Sequence, residues 1–69
     1  MNIDRLNSTN TIYQEIQSVD QHITETLVRR TCAHMMFSGD LADKKISVLS
    51  GGEKSRVMLG KILLNPVNL

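Results

Sequence analysis

Ser50 and Glu53 stand three residues apart at the head of an apolar run. At that spacing a serine hydroxyl caps a helix and a glutamate returns the bond to the cap's own N–H. Gly51 and Gly52 lie between them. A glycine in place of alanine weakens a helix by roughly 1 kcal/mol at an interior position and somewhat less near the end, so capping gives no reason for two. Two glycines do leave the backbone open to close approach, with N–H groups at the positive end of the helix dipole. The chemistry implied is anion binding, and a phosphate fits such a place.

The elements that must position this turn follow from periodicity. Ile46-Ser47-Val48-Leu49 alternates apolar and polar and reads as extended backbone delivering Ser50. A helix is expected from Gly51 to about Leu64, with Met58, Leu59, Ile62 and Leu63 on one contiguous face and Glu53, Lys54 and Lys61 opposite. Leu59 is central to that stripe, so a charge there is expected to unfold the chain. Val57 and Leu64 lie toward the polar side, which makes the helix apolar over much of its circumference and suits enclosure in a larger domain. Gly60 allows close packing, and Pro66 ends the helix.

Two further helices precede it. Met1 to Asn7 reads as a loop. Thr11 and Gln14 repeat the capping-box spacing, and Ile12, Ile16 and Val19 form the stripe of a short helix that ends around Ser18 to Asp20. Leu27, Val28, Cys32, Met35 and Met36 recur at helical spacing across Glu25 to Met36, with Arg29 and Arg30 off the stripe. Phe37-Ser38-Gly39-Asp40 reads as a turn, with Ser38 or Asp40 capping a short turn of helix through Lys44. Val67-Asn68-Leu69 begins a further apolar element. The fold class is mainly α, with three main helices.

With 69 residues the chain forms one small domain at most. A chain of that size buries only ~60% of its unfolded surface, so stability should be marginal. Tyr13 and Phe37 are the only aromatics, which makes the core aliphatic, with methionines as adaptable fillers. A formal charge of +1 gives no argument for a polyanionic partner; Arg29-Arg30 and Lys44-Lys45 read as solvated pairs, so nucleic-acid contact is not expected. Cys32 is the single cysteine, which excludes an intramolecular disulfide and suits a reduced, cytoplasmic setting. His22 and His34 lack the spacing of a metal site. No signal peptide or membrane-length apolar run is present, so membrane insertion is not expected.

The string Leu49-Ser50-Gly51-Gly52-Glu53, with Arg56 three residues on, resembles the signature motif of ATP-binding-cassette (ABC) ATPases. The longer run, Phe37-Ser38-Gly39-Asp40 and then Lys45 through Arg56, resembles more narrowly the ABC-F subfamily, soluble proteins with two cassettes per chain, many of them translation factors. The resemblance covers about Ile3 to Leu69 and implies a fold: the helical subdomain of a P-loop NTPase-type nucleotide-binding domain, taken as residues 1–69 with the flanking sheet elements missing.

A phosphate-binding Walker A loop needs Gly, four residues, then Gly-Lys-Ser/Thr. No stretch here matches, and the Walker B carboxylates, Q-loop glutamine and switch histidine of the family are absent too. The chain is therefore not expected to hydrolyse ATP alone. The resemblance implies half of an ATP site, with Mg2+ held by other parts of the parent domain. Ser50 would give its hydroxyl to the γ-phosphate of ATP bound by an opposing cassette, and Gly51 and Gly52 would give backbone N–H groups. Leu49 would fix the loop by packing. Glu53 would turn back to the helix end, and Arg56 would brace the loop. Glu53 replaces the glutamine of most transporter signatures, which favours ABC-F and a ribosomal partner beside the second cassette. A transporter's ATP-binding subunit and a truncated helical interaction module are the alternatives.

Overall fold

The computed structural model describes residues 6–64; the expectations for the first residues of the Met1–Asn7 loop, for Pro66 and for Val67–Leu69 lie outside them. Among the described residues three helices occur in the order α1 (Ile12–Gln17), α2 (Glu25–His34) and α3 (Gly51–Leu64), with two 3₁₀ turns, Gly39–Asp43 and Ile46–Val48, between α2 and α3. No strand forms among the described residues; Thr11 and Lys45 make an isolated antiparallel bridge. The mainly helical architecture read from periodicity is the one observed.

Helix α1 starts on a reciprocal capping box. The Gln14 N–H donates to Thr11 Oγ1 at 3.1 Å, and the Thr11 N–H donates to Gln14 Oε1 at 2.8 Å. This satisfies two of the amides that every helix start leaves unpaired. The expected stripe is buried: Ile12 and Ile16 are 1% exposed and Val19 7%. Helix α1 touches α2, α3 and the first 3₁₀ turn, so its apolar face is the floor of the core.

Helix α2 is capped by Thr24, whose Oγ1 accepts the Leu27 N–H at 3.2 Å. It stops two residues before the Met36 expected from its apolar spacing, because the chain turns left-handed there. Met36 has φ 69°, the Phe37 N–H reaches back to Cys32 O at 2.8 Å, and the Met36 N–H to Ala33 O at 3.0 Å. This is the paired-bond helix stop usually built on glycine, in which the residue beyond the turn packs back on the helix. Phe37 does so, at 2% exposure, while Met36 is left outside the core. Val28, Thr31 and Cys32 form the inward face, and Arg29 and Arg30 lie outward, Arg29 with its guanidinium 5.0 Å from the Tyr13 ring centroid. Burial pushes the Cys32 thiol above its ordinary range, with the Arg29 charge acting in the opposite direction.

Two sequence expectations for the C-terminal half need correction. Ile46–Val48 is a 3₁₀ turn rather than extended backbone; only its flanking residues, Lys45 and Leu49, are extended. Ile46 and Leu49 both have to reach the core, and a three-residue turn brings them to the same side while leaving Val48 69% exposed. Ser38 does occupy the cap position of Gly39–Asp43, but its side chain makes no capping bond.

The second correction concerns the face of α3. Its bounds agree with expectation, yet Val57, Gly60 and Lys61 are the buried positions, while Leu59 is 49% exposed and Leu63 68%. The stripe expected to pack is the one turned outward. Gly60 explains part of this: a methyl group added there would come within 3.2 Å of Ile16 Cδ1 and 3.2 Å of Met35 Cγ, so α3 approaches α1 and α2 closely at this point, as expected of that glycine. Lys61 explains the rest. Its Nζ lies 2.6 Å from Glu15 Oε2, with both side chains 3% exposed. A lysine placed on the polar side of the helix is instead part of the interior.

Candidate functional site

The segment leading to Ser50 is tied down before it arrives. Ile12 N–H donates to Lys44 O at 3.0 Å, Ile46 N–H to Asn10 O at 2.9 Å and Ser47 N–H to Ser8 O at 3.2 Å. Lys45 Nζ also donates to Thr9 O at 3.0 Å, so this lysine of the 44–45 pair grips the chain. Ile46 and Leu49 are buried at 1% and 6% exposure on either side of the 3₁₀ turn. Leu49 is thus an anchor in the core, and the next residue emerges at the surface.

At that surface the first turn of α3 has the reciprocal bonds its spacing implied. The Ser50 N–H donates to Glu53 Oε1 at 2.9 Å, and the Glu53 N–H donates to Ser50 Oγ at 3.2 Å. The Lys54 N–H donates to Ser50 O at 2.9 Å. Amides of the opening turn are therefore engaged at Ser50, Glu53 and Lys54, whereas those of Gly51 and Gly52 take no partner among the described residues. Ser50 Oγ accepts from the Glu53 N–H, and its hydroxyl hydrogen, which turns between the Glu53 carboxylate and the outside, is a further donor. Three donors are gathered at one helix start, where the backbone dipoles favour negative charge.

The glycines have no local necessity. Neither has a positive φ, and a Cβ built on either would meet nothing within 4 Å. Ser50, Gly51 and Gly52 are all exposed. Glu53 turns its carboxylate back onto the Ser50 N–H, out of the way of an approaching anion. That bond holds its pKa below the ordinary glutamate range, with desolvation opposing and the Ser50 hydroxyl, Lys44 and Arg56 adding to the shift. The Arg56 guanidinium lies 5.6 Å from the centroid of the Phe37 ring, a cation–π contact that joins α3 to the end of α2.

All six candidate residues, Leu49 through Glu53 and Arg56, fall on this turn and its immediate support. Three contributors were not singled out as site residues: Phe37 as the platform under Arg56, Lys44 as a nearby charge, and the Glu15–Lys61 pair behind the helix. The first rests on a left-handed helix stop held by a methionine, which the residue type does not announce. The other two depend on tertiary approach. The assembly is a binding arrangement, offering donors to an oxyanion without a general base aimed at them. No group of three or more His, Cys, Asp or Glu among the described residues is placed to hold a metal ion, and no described helix is long and apolar enough to cross a membrane.

Comparison with known proteins gives short, partial relationships. Over 46 residues the chain is 46% identical to an uncharacterized ABC transporter ATP-binding protein, YkpA, of Bacillus subtilis, covering 67% of this chain and 8% of the relative. It is 33% identical over 63 residues to the putative ATP-binding protein YdiF of the same organism, covering 91% of this chain and 10% of that one. It is 32% identical over 66 residues to ABC transporter F family member 2 of Arabidopsis thaliana, covering 80% and 10%. No family model matches the chain. No solved structure matches it either. The chain spans about a tenth of the length of the curated relatives it matches. These partial homologies support the family of ATP-binding-cassette ATPases for this chain.

Proposed function

We propose that this chain supplies the signature half of an ATP site, in which Ser50, Gly51 and Gly52 bind the γ-phosphate of ATP held by a second cassette. The observation that carries the reading is the pair of exposed glycines, whose amides have no partner among the described residues, beside a completed capping box. Neither glycine answers a need among the described residues, so both fit a need for close approach by another molecule. Leu49 and Arg56 hold the turn, and Glu53 keeps its carboxylate away from the phosphates. The Walker A and Walker B groups and the ligands for Mg2+ belong to other parts of the parent domain, so hydrolysis is not a property of these residues alone.

In this reading the parent is an ABC-F-type ATPase acting in the cytoplasm, with two cassettes that close on ATP and reopen after hydrolysis, and with the ribosome as the object of that motion. The γ-phosphate gives the closed state its differential affinity, and its loss removes the bias. One relative's printed name, ABC transporter F family member 2, supports this branch. Another's, ABC transporter ATP-binding protein, favours a second reading in which the parent is the ATP-binding subunit of a transporter.

The test is Ser50→Arg in the full-length parent. ATP loading is expected to be unchanged while ATP-driven closure, followed by distance labels on the two cassettes, is lost; closure equal to the unaltered protein removes the proposal. Co-sedimentation of the ATP-bound parent with ribosomes supports the translational branch, and co-purification with a membrane-spanning subunit supports the transporter branch.

A further inference from the structure

Helix α3 carries two apolar faces, and hydrophobic burial alone does not choose the one observed. At 3.6 residues per turn, the inward set of buried Val57 and Gly60 with half-buried Leu64 and the outward set Leu59, Ile62 and Leu63 lie roughly half a turn apart. The outward set is the larger in side-chain volume, since the inward set includes a glycine. Apolar area by itself therefore favours the reverse setting of the helix.

Glu15 opposes that setting. Its carboxylate is fixed before α3 arrives: Oε1 accepts the Asn7 N–H at 3.2 Å and Asn10 Nδ2 at 3.0 Å, both from the loop leading into α1. Its remaining oxygen, Oε2, faces α3 and meets Lys61 Nζ at 2.6 Å. With α3 turned by half a revolution, Lys61 would face water, and a carboxylate 3% exposed would be left without its cation. Burying an unpaired charge is among the most unfavourable states open to a small domain.

We infer that the buried Glu15–Lys61 pair is a conformational selector, which sets the rotation of α3 and so decides which of its two apolar faces packs inward. The pair acts by excluding the alternative rather than by adding net stability, in the manner of a polar group that fixes register in a coiled coil. The inference concerns the fold and stands apart from the reading of Ser50 to Gly52 as a phosphate site.

The decisive variant removes both charges together, Glu15→Leu with Lys61→Met, in the full 69-residue chain. By NMR, the helical chain is expected to lose the contact between Gly60 and the Ile16 methyl as the dominant one. A second set of α3 amide resonances should appear, with the methyls of Leu59 and Leu63 in buried contacts. A single set of resonances with the Gly60–Ile16 contact intact reduces the pair to a stability element and overturns the inference. Should the double variant lose fixed packing, adding Leu59→Glu and Leu63→Lys to it removes the competing face. Return of one conformer with Gly60 against Ile16 supports the selector, and continued heterogeneity overturns it.

Discussion

The two ends of α3 were built by different kinds of interaction. Its first turn is held by bonds between residues three and four apart, Ser50 with Glu53 and Ser50 with Lys54. Its second half is held by partners far away in sequence, Gly60 against Ile16 and Met35, and Lys61 on a glutamate 46 residues earlier. The first turn lies at the surface with two glycine amides unpartnered among the described residues, whereas the second half packs Val57, Gly60 and Lys61 inward and spends its polar group on the fold. One helix thus has an open, locally bonded end and a packed one, and each end can be altered without the same consequence at the other.

The sharpest test of that division compares neighbouring positions on the inward half. Val57→Asp puts a carboxylate at a site with 0% exposure, which should cost about 4 kcal/mol or more and leave the chain unfolded by circular dichroism. Leu59→Asp, placed 49% exposed, should cost only about 1 kcal/mol in urea unfolding, although periodicity alone ranks it as the more damaging. Equal losses at the two sites would erase the distinction between the faces.

Lys61→Met comes next. It leaves Glu15 buried without its cation and should destabilise the chain by about 3–5 kcal/mol, measurable by the same unfolding experiment. A loss below about 1 kcal/mol would place the pair with ordinary surface bridges and weaken the contrast with the outward turn.

At the outer end the effects are smaller. Ser50→Ala removes the cap and should cost about 1 kcal/mol. The Glu53 pKa adds a pH signature to that turn. Its native value is lowered, so its contribution is present above the ordinary glutamate range and is lost as pH falls through the lowered value. Glu53→Gln should flatten that acid limb in a thermal melting series, and an unchanged limb would assign the acid sensitivity to other carboxylates.

The smallest effect has the opposite sign. Gly52→Ala meets open space and a helical backbone, so the isolated chain should gain up to about 0.5 kcal/mol, less than an interior helical position would give. The same change in the parent should weaken ATP-driven closure, since the added methyl stands where the proposed site receives the phosphate. Stability rising while closure falls is the pattern expected of a residue kept for a ligand; a loss of both would make the glycine structural.

These contrasts follow what could be read from the chain before its fold was known. The Thr11–Gln14 and Ser50–Glu53 capping boxes, the Ile12–Ile16–Val19 stripe and the limits of α3 were all legible, as was the turn carrying the six candidate residues. Each rests on spacings within one or two turns, where geometry is set by the helix itself. The α2 stripe was legible except at its end, where a methionine took the left-handed position that glycine usually holds.

The sequence by itself determined the local hydrogen-bonded pieces, because a cap or a stripe is complete within a few residues. The tertiary structure alone decided that Ile46–Val48 curls into a turn, that Phe37 enters the core beneath Arg56, and that α3 shows Leu59 and Leu63 to the outside. The physical reason is that a helix apolar on two sides holds no internal record of which side is inner. That choice was made by a buried carboxylate on α1 whose proper partner is a lysine near the far end of the chain.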